Sequence, residues 1–379
     1  MSMTRRTWLG VLASVAAVTV AGTPAGAQQT QKPNVVFILA DNVGYGDLGA
    51  YGGGELRGAP TPSIDELARE GLRLTQFLVE PACTPSRAAL MTGRYSIRGG
   101  LSLIAIEGSP NTLSAHAFTM GEMFKGAGYA TAIFGKWHLG SEPQSLPTAH
   151  GFDEFYGIPP NLSWDAATYV DTMELTHSTP APPNVLLALG PQIVQATAGG
   201  PLQTVKPFTP EVRANIDYEL VDKPDTTSYA MFSIMDFLPT FSNIVGGKMP
   251  TDRPIDGVDQ TDVLLGNSTM GHRESLLSFI GADLVAARWK QWRIYFTDVH
   301  PTGSGPQREP GIFSASASLA GYPKVYNIEM DPHEDLVVGG LFSWVSGPAL
   351  KAVDEYLETV KKYPNPPAPN ITQFKSGGG

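Results

Sequence analysis

Cys83 is the only cysteine of the chain, and it stands at the start of the sequence Cys-Thr-Pro-Ser-Arg, residues 83–87. A single cysteine has no partner for an internal disulfide, so a structural pairing is excluded and a chemical role becomes the sharper hypothesis. The alternative is a buried free thiol beside a turn, because free cysteines often behave as small apolar residues. The residues that follow Cys83 distinguish the two hypotheses.

Those residues carry the pattern of a helix start. Thr84 is a favourable N-cap, Pro85 suits the first helical position, and Gly93 suits a C-terminal cap, so the pattern predicts a helix over residues 86–92. Free N–H groups and the positive end of a helix dipole at this N-terminus attract an anion. The Arg87 guanidinium adds a fixed positive charge that matches tetrahedral oxyanions. Together these features place a nucleophile beside an anion site.

Two apolar runs, residues 34–40 and 130–135, predict strands that are buried on both faces of a parallel sheet. Polar residues follow both runs directly: Asp41, Asn42, Lys136 and His138. Ligands bind beyond the carboxyl ends of parallel strands, so these four side chains are candidates for the same site. The alternatives are that Lys136 and His138 occupy exposed loop positions and that Asp41 and Asn42 form an ordinary turn.

Helix signals alternate with these strands. Thr61 and Pro62 begin a predicted helix that ends at Gly71, and residues 119–122 form the capping box of another. Alternating strands and helices predict an α/β domain with a mostly parallel sheet and helices on both faces.

The carboxyl-terminal part has a different pattern. Residues 276–296 predict two strands or a hairpin, in which Trp289 and Trp292 are expected to pack rather than to stack on a substrate. A final helix from Pro348 places its apolar side chains on one face: Leu350, Val353, Leu357 and Val360. We therefore expect a small α+β domain at this end.

The first residues look like an export signal. Arg5 and Arg6 precede an apolar run, and residues 25–27 read Ala-Gly-Ala, which predicts cleavage after Ala27. The paired arginines favour the twin-arginine route over an ordinary secretory signal. The chain carries a net charge of −10 over 379 residues, which argues against nucleic acid as a partner. The sequence contains no run long enough for a membrane span. We expect a periplasmic or secreted protein.

Four blocks of this sequence, in the same order, resemble the type I sulfatases and are close to the arylsulfatases. They are residues 33–47, 83–95, 128–140 and 151–157. Several ordered motifs are far more specific than one short pattern. The resemblance implies an alkaline-phosphatase-like α/β fold, here shortened. We expect a signal peptide over residues 1–27, the sulfatase-like domain over 28–270 and the small carboxyl-terminal domain over 271–379.

The resemblance also implies a mechanism, hydrolysis of a small-molecule or carbohydrate sulfate ester. In such enzymes the cysteine is oxidised by a formylglycine-generating enzyme to an aldehyde, whose hydrate attacks sulfur. By position, the residues that would carry out catalysis are Cys83, Arg87, Lys136 and His138. A divalent cation, calcium, would be bound by Asp41, Asn42 and the modified Cys83.

Two departures from the family pattern matter. The family usually has an aspartate at the position of Asn42, and the loss of its charge predicts weaker metal binding. The family's long central segment, with its Asp-Asn-Gly metal-binding turn, histidine and second lysine, has no counterpart here, and its loss predicts exposed apolar surface. The alternatives are therefore a homologue that binds anions without turnover, or a phosphate or phosphonate ester hydrolase.

Overall fold

The computed structural model describes residues 32–105, 111–159, 194–197, 203–204, 226–300, 315–319 and 321–367. The chain divides into two units, one ending at Ile38 and the other beginning at Leu39. The expected signal peptide, residues 1–27, lies outside the described ranges. No helix in those ranges is both long and apolar enough to cross a bilayer.

The described α-helices are α1 Pro62–Glu70, α2 Cys83–Thr92, α3 Met120–Gly126, α4 Phe237–Val245, α5 Thr261–Leu264 and α6 Ser346–Lys362. The strands are β1 Leu72–Leu74, β2 Phe77–Leu78, β3 Ala132–Lys136, β4 Glu154–Ile158, β5 Val194–Thr197, β6 Gln203–Thr204, β7 Thr226–Ser228, β8 Phe232–Ser233, β9 Ser275–Ile280, β10 Asp283–Trp289, β11 Trp292–Tyr295, β12 Thr297–His300, β13 Ala315–Ser318 and β14 Lys324–Asn327.

Parallel pairing characterises the first half of the chain and confirms an α/β fold. Strand β1 pairs with β7, β2 with β8 and β3 with β4, all in parallel, while β5 and β6 extend the last pair in antiparallel order. The helix signals of the sequence are confirmed here. Helix α1 begins with Pro62 directly after Thr61, and Thr119 and Glu122 form a complete capping box before α3.

Helix α2 lies at the centre of this half and contacts both α3 and α4. Its Ala88, Ala89 and Leu90 are buried, as are Met123 of α3 and Leu238 of α4. Small side chains at the first two positions allow neighbouring elements to approach closely, which fixes the axis of the helix. The residue at the N-terminus of α2 is therefore held on a rigid element.

The second half contains an antiparallel sheet in the order β14-β11-β10-β9, covered by α6. Instead of the two strands expected over residues 276–296, three lie there. Trp292 is buried against Phe342 and Trp344, so the packing role predicted for it is confirmed. Helix α6 buries Ala349, Val353 and Tyr356.

The face predicted for α6 is therefore partly wrong. Leu350 and Leu357 are 47% and 46% exposed. The buried residues Ala349, Val353 and Tyr356 are four and three positions apart and form one stripe along the helix. This stripe begins at Ala349, one position before Leu350, where the stripe predicted from hydrophobicity begins. A small residue can lie closer to a sheet than a leucine, which explains the rotation of the helix.

Two strand predictions also require correction. Residues 34–40 do not form a strand, and Val36 and Ile38 are 61% and 81% exposed. Strand β3 forms, but Phe134 at its middle is 70% exposed, so the strand is not buried on both faces. An apolar run can become a buried strand only where other elements cover it. The expected exposure of apolar surface is thus present in the described residues.

Candidate active site

Cys83 is the first residue of α2 and is half-buried with a free thiol. The helix begins three residues earlier than the sequence predicts, after Ala82, and it ends at Gly93 with a φ of 63°, as expected. Thr84 is therefore inside the first turn and does not act as the N-cap. Early N–H groups of a helix have no intrahelical partner, so Pro85 is tolerated in this turn. Cys83 still lies at the positive end of the helix dipole.

Arg87 follows Cys83 by one turn of α2, so both side chains lie on the same side of the helix. Its Nη1 donates a hydrogen bond to the carbonyl oxygen of Lys136, and its Nη2 lies 3.4 Å from Oδ2 of Asp41. Burial lowers the pKa of Arg87, while the charges of Asp41 and Cys83 oppose that shift. The arginine thus connects the helix to the end of β3 and to the irregular segment that contains Asp41.

Lys136 is the last residue of β3, and its Nζ donates to Asp41 Oδ2 at 2.8 Å. Burial alone would raise the pKa of Asp41, but the hydrogen bond and charge of Lys136, together with Arg87, hold that pKa below its ordinary value. One carboxylate faces two cations, so the group of Asp41, Arg87 and Lys136 retains one excess positive charge. An anion can be attracted to such a group.

His138 is completely buried, and its backbone has a φ of 61°. Its carbonyl oxygen accepts a hydrogen bond from the Thr84 hydroxyl at 3.0 Å, and the same hydroxyl accepts one from Ala105 N at 3.1 Å. Within the described part of the chain neither ring nitrogen makes a hydrogen bond of ordinary geometry. Burial, followed by the charges of Lys136 and Arg87, lowers the pKa of His138 to about 4, which the nearby Ala105 backbone opposes only partly.

The structure therefore brings three of the predicted site residues into direct contact: Asp41, Arg87 and Lys136. Arg87 also interacts electrostatically with Cys83 and with His138. Asn42 is exposed and adopts a φ of 57°, a left-handed conformation that asparagine tolerates well.

Comparison with known proteins agrees with this arrangement. The model of the Sulfatase family matches residues 33–200. Mouse steryl-sulfatase is 44% identical over 161 residues, which are 39% of this chain and 25% of the relative. Bovine arylsulfatase A is 47% identical over 139 residues, 36% of this chain and 27% of the relative. Residues 33–200 of this chain therefore belong to the sulfatase family.

The chain spans about a quarter of the length of those curated relatives. The range matched by the family model, residues 33–200, contains the whole site cluster. The crystal structure of the PsFucS1 sulfatase from Pseudoalteromonas sp. is similar with a TM-score of 0.76 and 24% identity. The similarity covers 90% of this chain and 93% of that one. The fold expected from the sequence, an alkaline-phosphatase-like α/β fold with a small carboxyl-terminal α+β part, is confirmed.

The described residues of this chain do not form a calcium site. Calcium takes about 6–8 oxygen ligands, whereas no group of three His, Cys, Asp or Glu side chains suited to a metal occurs in the described ranges. The Asp41 carboxylate is already held by Lys136 and Arg87. The residues expected to bind the cation, Asp41, Asn42 and Cys83, supply too few oxygen donors and too little negative charge.

Thr84 belongs to this site although the sequence pattern did not predict it. Its position directly after the cysteine suggested a helix cap, a local role that threonine often has. Its actual partners are 54 and 21 residues away along the chain, at His138 and Ala105. No local pattern contains such a contact, and the β-hydroxyl itself was the only available signal.

Proposed function

We propose that this sulfatase hydrolyses sulfate esters at the cluster of Asp41, Cys83, Arg87, Lys136 and His138. One observation carries the proposal: Cys83 begins α2 one turn before Arg87, and Arg87 shares a single carboxylate, Asp41, with Lys136. The excess positive charge suits the sulfate group of an ester, and the helix N-terminus adds N–H donors on the same side.

Each side chain of the cluster would have its own role in the reaction. Arg87 and Lys136 would bind the sulfate oxygens, on which negative charge grows in the transition state. When Cys83 is converted to formylglycine, the hydrated aldehyde supplies the oxygen nucleophile for sulfur. With a pKa of about 4, His138 is neutral near pH 7 and would accept a proton rather than donate one. The net reaction would consume one water and one sulfate ester and yield the alcohol and sulfate.

The proposed substrate class is an aryl or carbohydrate sulfate. Curated relatives include a steryl-sulfatase and an arylsulfatase A, whose names indicate sulfate esters of different alcohols. The excess positive charge recognises the shared sulfate group and does not select the alcohol. A formylglycine-generating enzyme is the partner that maturation of Cys83 would require.

A second function, anion binding without turnover, is favoured by one observation. Asp41 is neutralised by Lys136 and Arg87, and the described residues offer no further carboxylate to hold a cation beside it. A site that lacks part of its charge stabilisation would bind sulfate but cleave it slowly. We therefore expect hydrolysis that is much slower than in an intact relative.

The test is hydrolysis of 4-nitrophenyl sulfate by protein produced together with a formylglycine-generating enzyme. We expect slow turnover that Cys83→Ala abolishes and that Lys136→Met lowers in kcat/KM by about 10²–10³-fold, the usual effect of removing one oxyanion donor. Lys125→Met is the matched control, because Lys125 is an exposed lysine paired with Asp153 elsewhere on the surface.

Equal rates in the wild type and Cys83→Ala would contradict the hydrolase proposal. Sulfate binding that Lys136→Met weakens would then support binding without turnover. Faster cleavage of 4-nitrophenyl phosphate than of the sulfate would assign the site to phosphate esters instead.

We also propose that the protein is exported to the periplasm or secreted, on the basis of the paired arginines and the Ala-Gly-Ala sequence before residue 28. Amino-terminal sequencing of the exported protein tests this, and we expect the mature chain to begin at Gln28. A mature chain that still contains Arg5 and Arg6 would contradict it.

A further inference from the structure

A cavity of about 250 Å³ lies apart from the Cys83 cluster. Its walls come from β9, β10 and β11 and from residues 78–81, which precede α2. The apolar side of the cavity includes Leu78, Leu276, Phe279 and Val285. None of Asp41, Cys83, Arg87, Lys136 or His138 lines it, so it is separate from the proposed catalytic site.

Arg288 lines this cavity and is only 5% exposed. Its Nε donates to the carbonyl oxygen of Lys290 at 2.8 Å, and its Nη2 donates to Oε1 of Gln76. Both acceptors are neutral. In the described ranges the guanidinium forms no ion pair with a carboxylate, and its Nη1 makes no hydrogen bond. Glu329 interacts with this charge electrostatically but forms no ion pair with it. A buried charge without a carboxylate in direct contact is costly, which makes this guanidinium a recognition group for an anion.

The other ionisable groups of the cavity do not compensate Arg288. Arg293 is a second cation, and its charge is already paired with Glu334 at 3.0 Å. Burial and the charge of Arg293 lower the pKa of Arg288 to about 10, a shift that Glu329 and Tyr45 oppose only partly, so Arg288 remains protonated at neutral pH. Glu80 accepts a hydrogen bond from Ser96, and burial raises the pKa of its carboxyl to about 7. The side of the cavity near Arg288 therefore keeps a positive charge.

We propose that this cavity binds a small organic anion whose apolar body packs on the β9–β10 wall and whose anionic group accepts hydrogen bonds from Arg288. The size fits, because an apolar cavity of about 150 Å³ holds benzene, and this one has room for a ring and one charged group. Carboxylates, sulfonates and phosphate monoesters share the required chemistry. The proposal does not depend on catalysis at Cys83.

Calorimetric titration with benzenesulfonate tests the proposal, since a sulfonate is not an ester and cannot be turned over. Benzyl alcohol, similar in size but uncharged, is the matched ligand. We expect saturable binding of benzenesulfonate and at least about tenfold weaker binding of the alcohol, because a charged hydrogen bond is lost. Absence of benzenesulfonate binding to the wild type would overturn the proposal.

Variants locate the bound anion. Arg288→Gln should weaken benzenesulfonate about tenfold or more, whereas Arg57→Gln, an exposed arginine paired with Asp47, should not. Lys136→Met should leave the affinity unchanged. A loss in Lys136→Met, or none in Arg288→Gln, would show that the anion binds at the Cys83 cluster or elsewhere.

A measurement on the wild type covers the case in which Arg288→Gln does not fold. Met235 is buried and lines the same cavity. Its methyl resonance, assigned with Met235→Leu, should shift as the aromatic ring of benzenesulfonate enters. An unshifted Met235 methyl at saturation would place the ligand outside the cavity.

Discussion

Two aspartates of this protein are each held by an arginine, and their surroundings are opposite. Asp236 is completely buried and pairs with Arg273, whose side chain is only 4% exposed, while the backbone N–H groups of Ser233 and Val258 donate to it at 2.8 Å. Asp41 keeps 35% of its side chain exposed and faces both Arg87 and Lys136.

The two sites differ in whether any charge is left without a partner. At Asp236, one carboxylate matches one guanidinium, and backbone donors use the remaining acceptor capacity. At Asp41, two cations share one carboxylate, and a positive charge is left over for a ligand. The first arrangement fixes the fold, because it ties the segment before α4 to the segment before β9. The second can exchange partners when an anion arrives, which is what a catalytic site requires.

The largest effect should follow from removing the buried carboxylate. Asp236→Ala leaves Arg273 charged and without its partner inside the protein, so we expect the free energy of unfolding to fall by about 3–5 kcal/mol. Asp41→Ala should cost about 1 kcal/mol or less, since partly exposed ion pairs contribute little. Urea denaturation of both variants measures the difference. Similar losses would show that Asp41 is as structural as Asp236.

His138 provides a pH-dependent test. Its pKa of about 4 in the folded protein lies below the ordinary value near 6.5, so the folded state disfavours the protonated imidazole. Above pH 6.5, neutral His138 makes its full contribution to the free energy of unfolding. As the pH falls toward 4, the free energy of unfolding decreases by roughly 3 kcal/mol because this contribution is lost.

His138→Asn removes this titration and suits the left-handed backbone at that position. Unfolding of both proteins between pH 7 and 4 measures the effect. His150, whose pKa is also lowered by burial, remains in both proteins, so the difference isolates His138. Parallel pH profiles would contradict the account of the buried imidazole.

A smaller effect than those at Asp236 and His138 concerns Thr84, which links α2 to the segment after β3. Thr84→Val keeps the shape but leaves the Ala105 N–H and the His138 carbonyl without their partner. We expect a loss of about 1–3 kcal/mol in stability, the usual result of an unsatisfied buried polar group. Thr84→Ser retains the hydroxyl and should recover most of that loss. If both variants were equally stable, the hydrogen bonds would have no measurable role.

Local signals predicted local structure well. The capping box at Thr119, the proline that begins α1 and the glycine that ends α2 act within one helical turn, and all three were confirmed. Contacts between distant segments could not be predicted. The run at residues 34–40 shows which side chains favour burial but not what covers them, and the partners of Thr84 lie far along the chain.

In the candidate site, too, the residues could be predicted from local motifs but their contacts could not. Motifs identified Asp41, Cys83, Arg87 and Lys136, and the structure brings three of them into contact. The sequence could not indicate that Asp41 would be neutralised by two cations, because ion pairs depend on distances between side chains. It also could not reveal Arg288, whose isolation follows from the packing of β10 against its neighbours.

The central claim is that Cys83 is the precursor of a catalytic aldehyde at the positive end of α2. Mass spectrometry of the peptide that contains Cys83 tests it most directly, with protein from cells that mature other sulfatases. We expect a peptide that has lost its thiol and reacts with a hydrazide, as an aldehyde does. An intact thiol that alkylates normally, in cells where a control sulfatase is converted, would contradict the claim.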